Sequence, residues 1–591
     1  MTNNKLEALR SLMRERGLDA FIEPTSDPHQ SEYVADYYKG RAYLTGFTGS
    51  AGIAVVTMDE AILWTDGRYF IQAETQVKDT GFVLYKMNTP GYPNYTEWLS
   101  ENLKENATIG LNGRIVSQGS VESLLDSLER IDPLIYDGED LVGMIWENRP
   151  QLSKNKLMSL DIKYAGVSVN EKLIQIRMNM KELGADYFLL GSLDDIAWLF
   201  NIRGGDVKCN PVVISYALVS DDRAILFVDM DKLEVGTIND LKDQGVECRP
   251  YEEVADFVSA VNEDMAIVLD KDRINRWLFS SISEGCTIIE KPNLTTLPKG
   301  VKNGTEIVNQ RLAYIKDGVA LTKFFHWLHS NLGKRQITEV EAAEKLLEFR
   351  NGMEGFIEPS FETIAAYGSN AAMMHYSATE ESYSILEKKG LFLLDSGGQY
   401  LNGTTDITRT IALGELSQEE KRDFTLVLKG HINLISARFL QGSSGHALDV
   451  LARYPLWMEG EDYKSGTGHG VGYLLNVHEG PHRIATMPNS VALQPGMIVT
   501  IEPGIYKEGK HGIRTENVVV VKEDIKTDSG QFYSFDMLSW CYIDTECIDK
   551  KLLTPTERIW LNNYNNEVYE KLSPFLDEDI KTWLKEKTKE I

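Results

Sequence analysis

Cysteine is scarce in this chain, and what there is does not pair. Cys209, Cys248, Cys286, Cys541 and Cys547 are odd in number, scattered, and nowhere spaced as CxxC. That argues against a disulfide framework and against a zinc ribbon, and for free thiols in a reducing compartment. Long apolar runs are also missing. No stretch approaches the roughly 18 uninterrupted apolar residues of a membrane helix. The opening MTNNKLEALRSLMRERGLDAFIEP carries charge throughout, without the apolar centre and small-residue cleavage site of a signal peptide. A cytoplasmic protein with no membrane partner is expected. Positive charge falls short as well: 61 Lys and Arg stand against 88 Asp and Glu, a net charge of −27. A nucleic-acid binder needs a basic face to displace counterions, so the charge argues against a general nucleic-acid binder.

What is present is enough for several domains. At about 150 residues per domain, the length predicts three or four. Apolar residues make up 42% and charged residues 25%, ordinary values for a globular protein. The first half repeats itself. KLIQIRMNMKELGADYFLLGSLDDIAWLFNIRG, from Lys172, echoes KLEALRSLMRERGLDAFIEP followed by RAYLTGFTG, and AILFVD (Ala224 to Asp229) echoes AILWTD (Ala61 to Asp66). Two copies of one α/β unit are the simplest explanation. LPKGVKNG (Leu297 to Gly304) reads as a linker. A long helix follows, with Thr305 as its cap and Ile307, Leu312, Ile315, Val319 and Phe325 as its apolar stripe. His326 and His329 on it lack a carboxylate pattern, so they read as packing or surface residues. From about Glu354 strands dominate, punctuated by Gly and Pro. The tail from Leu553 is helical and charged. The fold class is α+β, with expected domains at 1–160, 161–304 and 305–552 and a helical extension over 553–591.

Four carboxylates stand oddly among apolar strands. Asp395 ends LFLLD, Asp406 sits in TTDITRTIAL, Glu502 follows MIVTI, and Glu516 precedes NVVVV. An ionised carboxylate among β-branched residues is costly without a compensating cation or donor. Asp395 and Asp406 bracket a turn at Asn402-Gly403, and Glu502 and Glu516 bracket KEGKHG. Two facing hairpins would focus all four. By strand alternation Arg514 points the same way as Glu516 and would hold that carboxylate. His469, in GTGHGVG, is a fifth ligand candidate. The glycines there invite comparison with a dinucleotide loop, but no strand-to-helix frame surrounds them. Four carboxylates and one imidazole form a hard donor set that suits two divalent ions of the manganese type rather than structural zinc.

One motif misleads. His478-Glu479-Gly480-Pro481-His482 matches HExxH, which binds zinc because i and i+4 share a helix face. Gly-Pro in its middle breaks the helix, so the zinc-peptidase reading fails. His482 then reads as a surface-loop residue, while His478 stays of interest for its nearness to His469 in sequence.

At these residues the chain resembles the pita-bread metallopeptidases, and within them the Xaa-Pro aminopeptidases. The resemblance rests on MMHYS around His375, LLDSGGQYLNGTTDITRT, GTGHGVGYLLNVHEGP, TIEPGIY and IRTENVVVV, with HQSEYV, YLTGFTGSAGIAVV and WTDGRYFIQAE upstream. It covers almost the whole chain. It implies two creatinase-like α/β domains ahead of a pita-bread catalytic domain, two Mn2+ ions, a homodimer, and removal of an N-terminal residue from peptides with proline at the second position. It also implies roles. Asp395 would bind one metal, His469 and Glu502 the other, and Asp406 and Glu516 both, around a bridging hydroxide that acts as nucleophile. His375 and His478 would flank the substrate and stabilise the tetrahedral intermediate, with Glu502 as proton shuttle. One position departs from the pattern: Ser465 stands where many members carry a histidine four residues before the metal histidine, which leaves the pocket shape open. A prolidase would share the ligands but cut only dipeptides. Methionine aminopeptidases normally lack such an amino-terminal half. Creatinase lacks the metal set, and a non-catalytic pita-bread peptide-binding module would be expected to have lost ligands.

Overall fold

The computed structural model describes residues 2–591. The chain divides into two compact units, Met1–Asp161 with Val167–Thr295, and Ile162–Gly166 with Thr296–Ile591.

The first unit holds two six-stranded sheets of one topology. Across the first, the strands run Val83–Lys86, Ala61–Thr65, Ile53–Thr57, Ala20–Pro24, Thr108–Leu111 and Leu134–Tyr136. Across the second they run Val246–Pro250, Ala224–Val228, Ser215–Ser220, Tyr187–Leu190, Ala266–Leu269 and Thr287–Glu290. Both read parallel, antiparallel, antiparallel, parallel, parallel. The echoed AILWT and AILFV fall on equivalent strands, buried at every position, as a strand covered on both faces should be. Their helices, Thr2–Arg16 and Val169–Leu183, precede equivalent strands too. A buried polar centre joins the two halves. His29 Nδ1 lies 2.8 Å from the Gly191 carbonyl and Nε2 3.0 Å from the Tyr251 hydroxyl. Asn275 Nδ2 donates to the Tyr216 hydroxyl at 2.6 Å and to the Pro28 carbonyl at 2.9 Å.

The second unit opens on Thr296–Gly300, a short helix where a linker was expected; Lys299 and Lys302 are buried there. The long helix Gly304–Asn331 is capped by Asn303, which accepts from the Glu306 N–H at 3.0 Å in a capping box, rather than by Thr305. Its apolar stripe also differs from expectation. Leu312 is 52% exposed, whereas Ala313, Phe324, Phe325 and Leu328 are buried, because a 28-residue helix packs different faces along its length. The tail helices Pro555–Leu572 and Glu578–Lys587 place Leu561, Val568, Leu572 and Leu584 in the same core as Phe324 and Phe325. Trp583 from that tail packs against the rings of His326 and His329, at 5.6 and 5.7 Å, which supports their reading as packing residues.

Candidate metal centre

Two bent ribbons position the carboxylates. In the first, Leu391–Ser396 pairs antiparallel with Ile407–Ala412, Asp395 opposite Thr408. Beyond Ser396 the ribbon leaves that sheet and continues as Gly398–Tyr400 paired with Gly403–Thr404 in another. The bend requires glycine: a Cβ on Gly397 would lie 1.9 Å from the Thr405 carbonyl oxygen. Asp395 stands just before this corner. Asp406 stands in it, outside any strand, and not within a continuous TTDITRTIAL strand as expected. In the second ribbon, Ile498–Ile501 pairs with Asn517–Thr527, Ile501 opposite Asn517. Past the corner, Gly504–Lys507 pairs with His511–Arg514 in a separate two-stranded sheet. Glu502 and Glu516 occupy the two gaps. The corners are stitched by backbone bonds: Glu516 N–H donates to the Thr408 carbonyl at 3.2 Å and Glu502 N–H to the Thr467 carbonyl at 2.8 Å.

His469 lies in the short strand Gly468–Gly470. Its Nδ1 is 2.9 Å from the Gly470 carbonyl, a contact in which Nδ1 is the donor and Nε2 faces the carboxylates. That Nε2 is 3.5 Å from Asp406 Oδ2 and 3.5 Å from Glu502 Oε1. One possible ligand atom each from Asp406, His469 and Glu516 lies within 4.8 Å of the others. Asp395 Oδ2 takes Arg514 Nη2 at 2.6 Å and Nε at 3.2 Å, and Glu516 Oε2 accepts from the Thr408 hydroxyl at 2.8 Å. The other oxygens, Asp395 Oδ1 and Glu516 Oε1, are buried without a hydrogen-bond partner.

That arrangement is electrostatically incomplete. Burial, then the charges of Asp395 and Glu502, push Asp406 well above the usual carboxylate range; burial and the charge of Asp406 do the same to Glu516. Burial pushes Glu502 up to about 7 even though Arg514 pulls the other way. Buried like charges with orphaned oxygens are costly unless cations join them. Four carboxylates and one imidazole fit two hard divalent ions, the two orphaned oxygens supplying open donor positions.

The remaining predicted residues fall in different places. The ring of His478 stands 4.3 Å from that of His469 and nearly perpendicular to it, at 83°. His375 is half-buried and follows Met374, whose carbonyl is 3.5 Å from Arg514 Nη2. Arg514 holds Asp395, not Glu516 as alternation suggested. Glu479–Ile484 is a strand, in keeping with the rejected zinc helix, but His482 is buried and not on a surface loop. Its Nε2 is 2.7 Å from the Ile498 carbonyl, and burial lowers its pKa to about 4. The Ser465 carbonyl accepts from Arg453 Nη2 at 2.8 Å. Sequence reasoning missed Thr408, and also Tyr506, whose hydroxyl takes Arg514 Nη1 at 2.6 Å. Thr408 had one signal, a hydroxyl two residues after Asp406.

Comparison with known proteins agrees with this geometry. A model of metallopeptidase family M24 matches residues 309–523. Models of the creatinase/prolidase N-terminal domain match 5–137 and 148–306, and the C-terminal region of peptidase M24 matches 531–591. Aminopeptidase P2 of Arabidopsis thaliana is 39% identical over 98% of this chain and 87% of its own. A probable Xaa-Pro aminopeptidase P of Laccaria bicolor is 39% identical over 99% of this chain and 93% of its own. The solved X-prolyl aminopeptidase of Caenorhabditis elegans, described as a cytosolic enzyme with a di-nuclear active site, matches with a TM-score of 0.95 at 34% identity over 100% of both chains. Two creatinase-like α/β domains thus precede a pita-bread peptidase domain, and the chain belongs to the Xaa-Pro aminopeptidase P family within metallopeptidase family M24.

Proposed function

We propose that the protein is a dinuclear-metal aminopeptidase that hydrolyses the bond between an N-terminal residue and a following proline. The observation that carries this is the carboxylate cluster at the two ribbon corners, with Asp395 Oδ1 and Glu516 Oε1 buried and unpaired. Asp395 would hold one ion, His469 and Glu502 the other, and Asp406 and Glu516 both. Mn2+ is the favoured ion, since the donors are mostly carboxylate oxygens. When bound, such ions supply Lewis acidity and a water that ionises at about pH 7. Arg514 fixes Asp395 through two bonds, and Thr408 fixes Glu516. His478 and His375 donate to the scissile carbonyl as charge develops on it. Glu502, beside the reacting centre at the second corner, takes and returns the proton.

The domains we assign to this reading are 1–160, 161–304 and 305–552, with the 553–591 extension. A homodimer is supported by the helix Gly445–Trp457, which exposes Val450, Tyr454 and Trp457 on one face, with Met458 just beyond it. No helix among the described residues is long and apolar enough to cross a membrane, which is compatible with a cytoplasmic location. The test pairs metal content with cleavage of Xaa-Pro-Yaa peptides. Two divalent ions per chain and release of the first residue are expected. Cleavage of Xaa-Pro dipeptides alone would make the protein a prolidase, and no cleavage with no metal bound would remove the enzyme reading.

A further inference from the structure

The segment that mimics a zinc motif has its own construction. Glu479 is buried, and its two oxygens divide between two lysines: Oε2 is 3.0 Å from Lys299 Nζ, and Oε1 takes Lys302 Nζ. Lys302 Nζ also donates to the Lys299 carbonyl at 2.7 Å. No side chain of the three exceeds 7% exposure. Burial pushes the Glu479 pKa up, but the two ammonium groups overcome this and hold it below the usual range.

Three charges removed from water are a poor way to gain stability, since apolar residues of similar volume often serve as well. What ion pairs of fixed geometry supply is position. Glu479 opens a strand already paired with Gly468–Gly470, so the strand does not need the clamp to form. The residue before it is His478. Val471 to Val477, which lead to His478, lie outside helices and strands. Upstream, the Leu475 carbonyl is held by Gln399 Nε2 at 2.8 Å. His478 therefore sits between an anchor at Leu475 and the clamp at Glu479. The clamp comes from elsewhere in the chain: Lys299 and Lys302 lie within the match to the N-terminal-domain model, and Glu479 within the match to the peptidase model. Gly300 fits tightly against the same turn, since a Cβ there would meet Pro481 Cδ at 3.0 Å.

We propose that Lys299, Glu479 and Lys302 form a positioning clamp that acts on the reaction through His478. This rests on the reading of His478 as a donor to the scissile carbonyl. The test is a double-mutant cycle on the metal-loaded full chain with an Xaa-Pro-Yaa peptide. Glu479→Gln is expected to lower kcat by about 10- to 100-fold, the scale of a misplaced catalytic group, with KM and metal content little changed. In a His478→Ala background the same substitution should leave kcat where His478→Ala put it. Losses that multiply in the double variant, or a Glu479→Gln variant with full kcat, overturn the clamp. If Glu479→Gln does not fold, Lys299→Met, which keeps the Lys302 pair, is read in the same cycle by the same criteria. Full kcat in His478→Ala alone overturns the reading of His478, and the clamp with it.

Discussion

Two of the buried polar centres, one in each unit, are built on opposite terms. Around His29 the donors and acceptors close on one another: both ring nitrogens have partners, and the Tyr216 hydroxyl is bonded. Around His469 they do not close, because two carboxylate oxygens are left buried and unpaired. Both centres shift pKa values. Burial lowers His29, and burial with like charge raises Asp406 and Glu516. Burial and a perturbed pKa therefore do not separate a strut from a site; what sets the second centre apart is a cluster of like-charged carboxylates with two of their oxygens unpaired.

Four expectations can break or sharpen that contrast. The largest concerns the open centre. Asp406→Asn, at the carboxylate proposed to serve both ions, should abolish metal binding and turnover together, as read by metal analysis and peptide cleavage; a variant with full turnover would show the ligand assignment to be wrong. Next, His478→Ala should lower kcat by about 10²- to 10³-fold, as for loss of a transition-state donor, with the metal retained; metal loss would make His478 a ligand. The closed centre should behave the other way. His29→Phe leaves the Gly191 carbonyl and Tyr251 hydroxyl unpaired and should cost about 1–3 kcal/mol in denaturant unfolding, while metal content and kcat stay unchanged. The last effect, confined to acid pH, tests His482, whose folded pKa is about 4 against 6.5 unperturbed. The unfolded chain takes up that proton first, so its contribution is intact above pH 6.5 and declines as pH falls toward 4. His482→Gln should remove about 1.4 kcal/mol per pH unit from the slope of stability across that window, read from unfolding curves at stepped pH.

The carboxylate cluster was legible because charge in an apolar run has a cost that composition cannot hide. The duplication was legible because AILWTD and AILFVD fall on equivalent strands. The partner of Arg514 was not legible, and the reason is parity. Alternation through GIRTENVVVV holds only for one continuous strand, but the strand ends at Arg514 and a new one starts at Asn517. The intervening corner resets which face each residue meets. Thr408 stayed hidden for a related reason: its nearness to Asp395 is a cross-strand register, which no local pattern encodes. Lys299 and Lys302 looked like linker residues because their partner, Glu479, is 177 and more positions away.

The bent ribbons carry one more consequence. Each carboxylate belongs to a corner, so the tips beyond the corners are free of the work done there. At the tip of the second ribbon Glu508, Gly509 and Lys510 are exposed, and Gly509 has nothing within 4 Å of where a Cβ would stand. Exposed loop tips tolerate insertion where buried backbone does not. This tip is thus a place where a reporter or a tether could be grafted a few residues along the chain from Glu502 and Glu516.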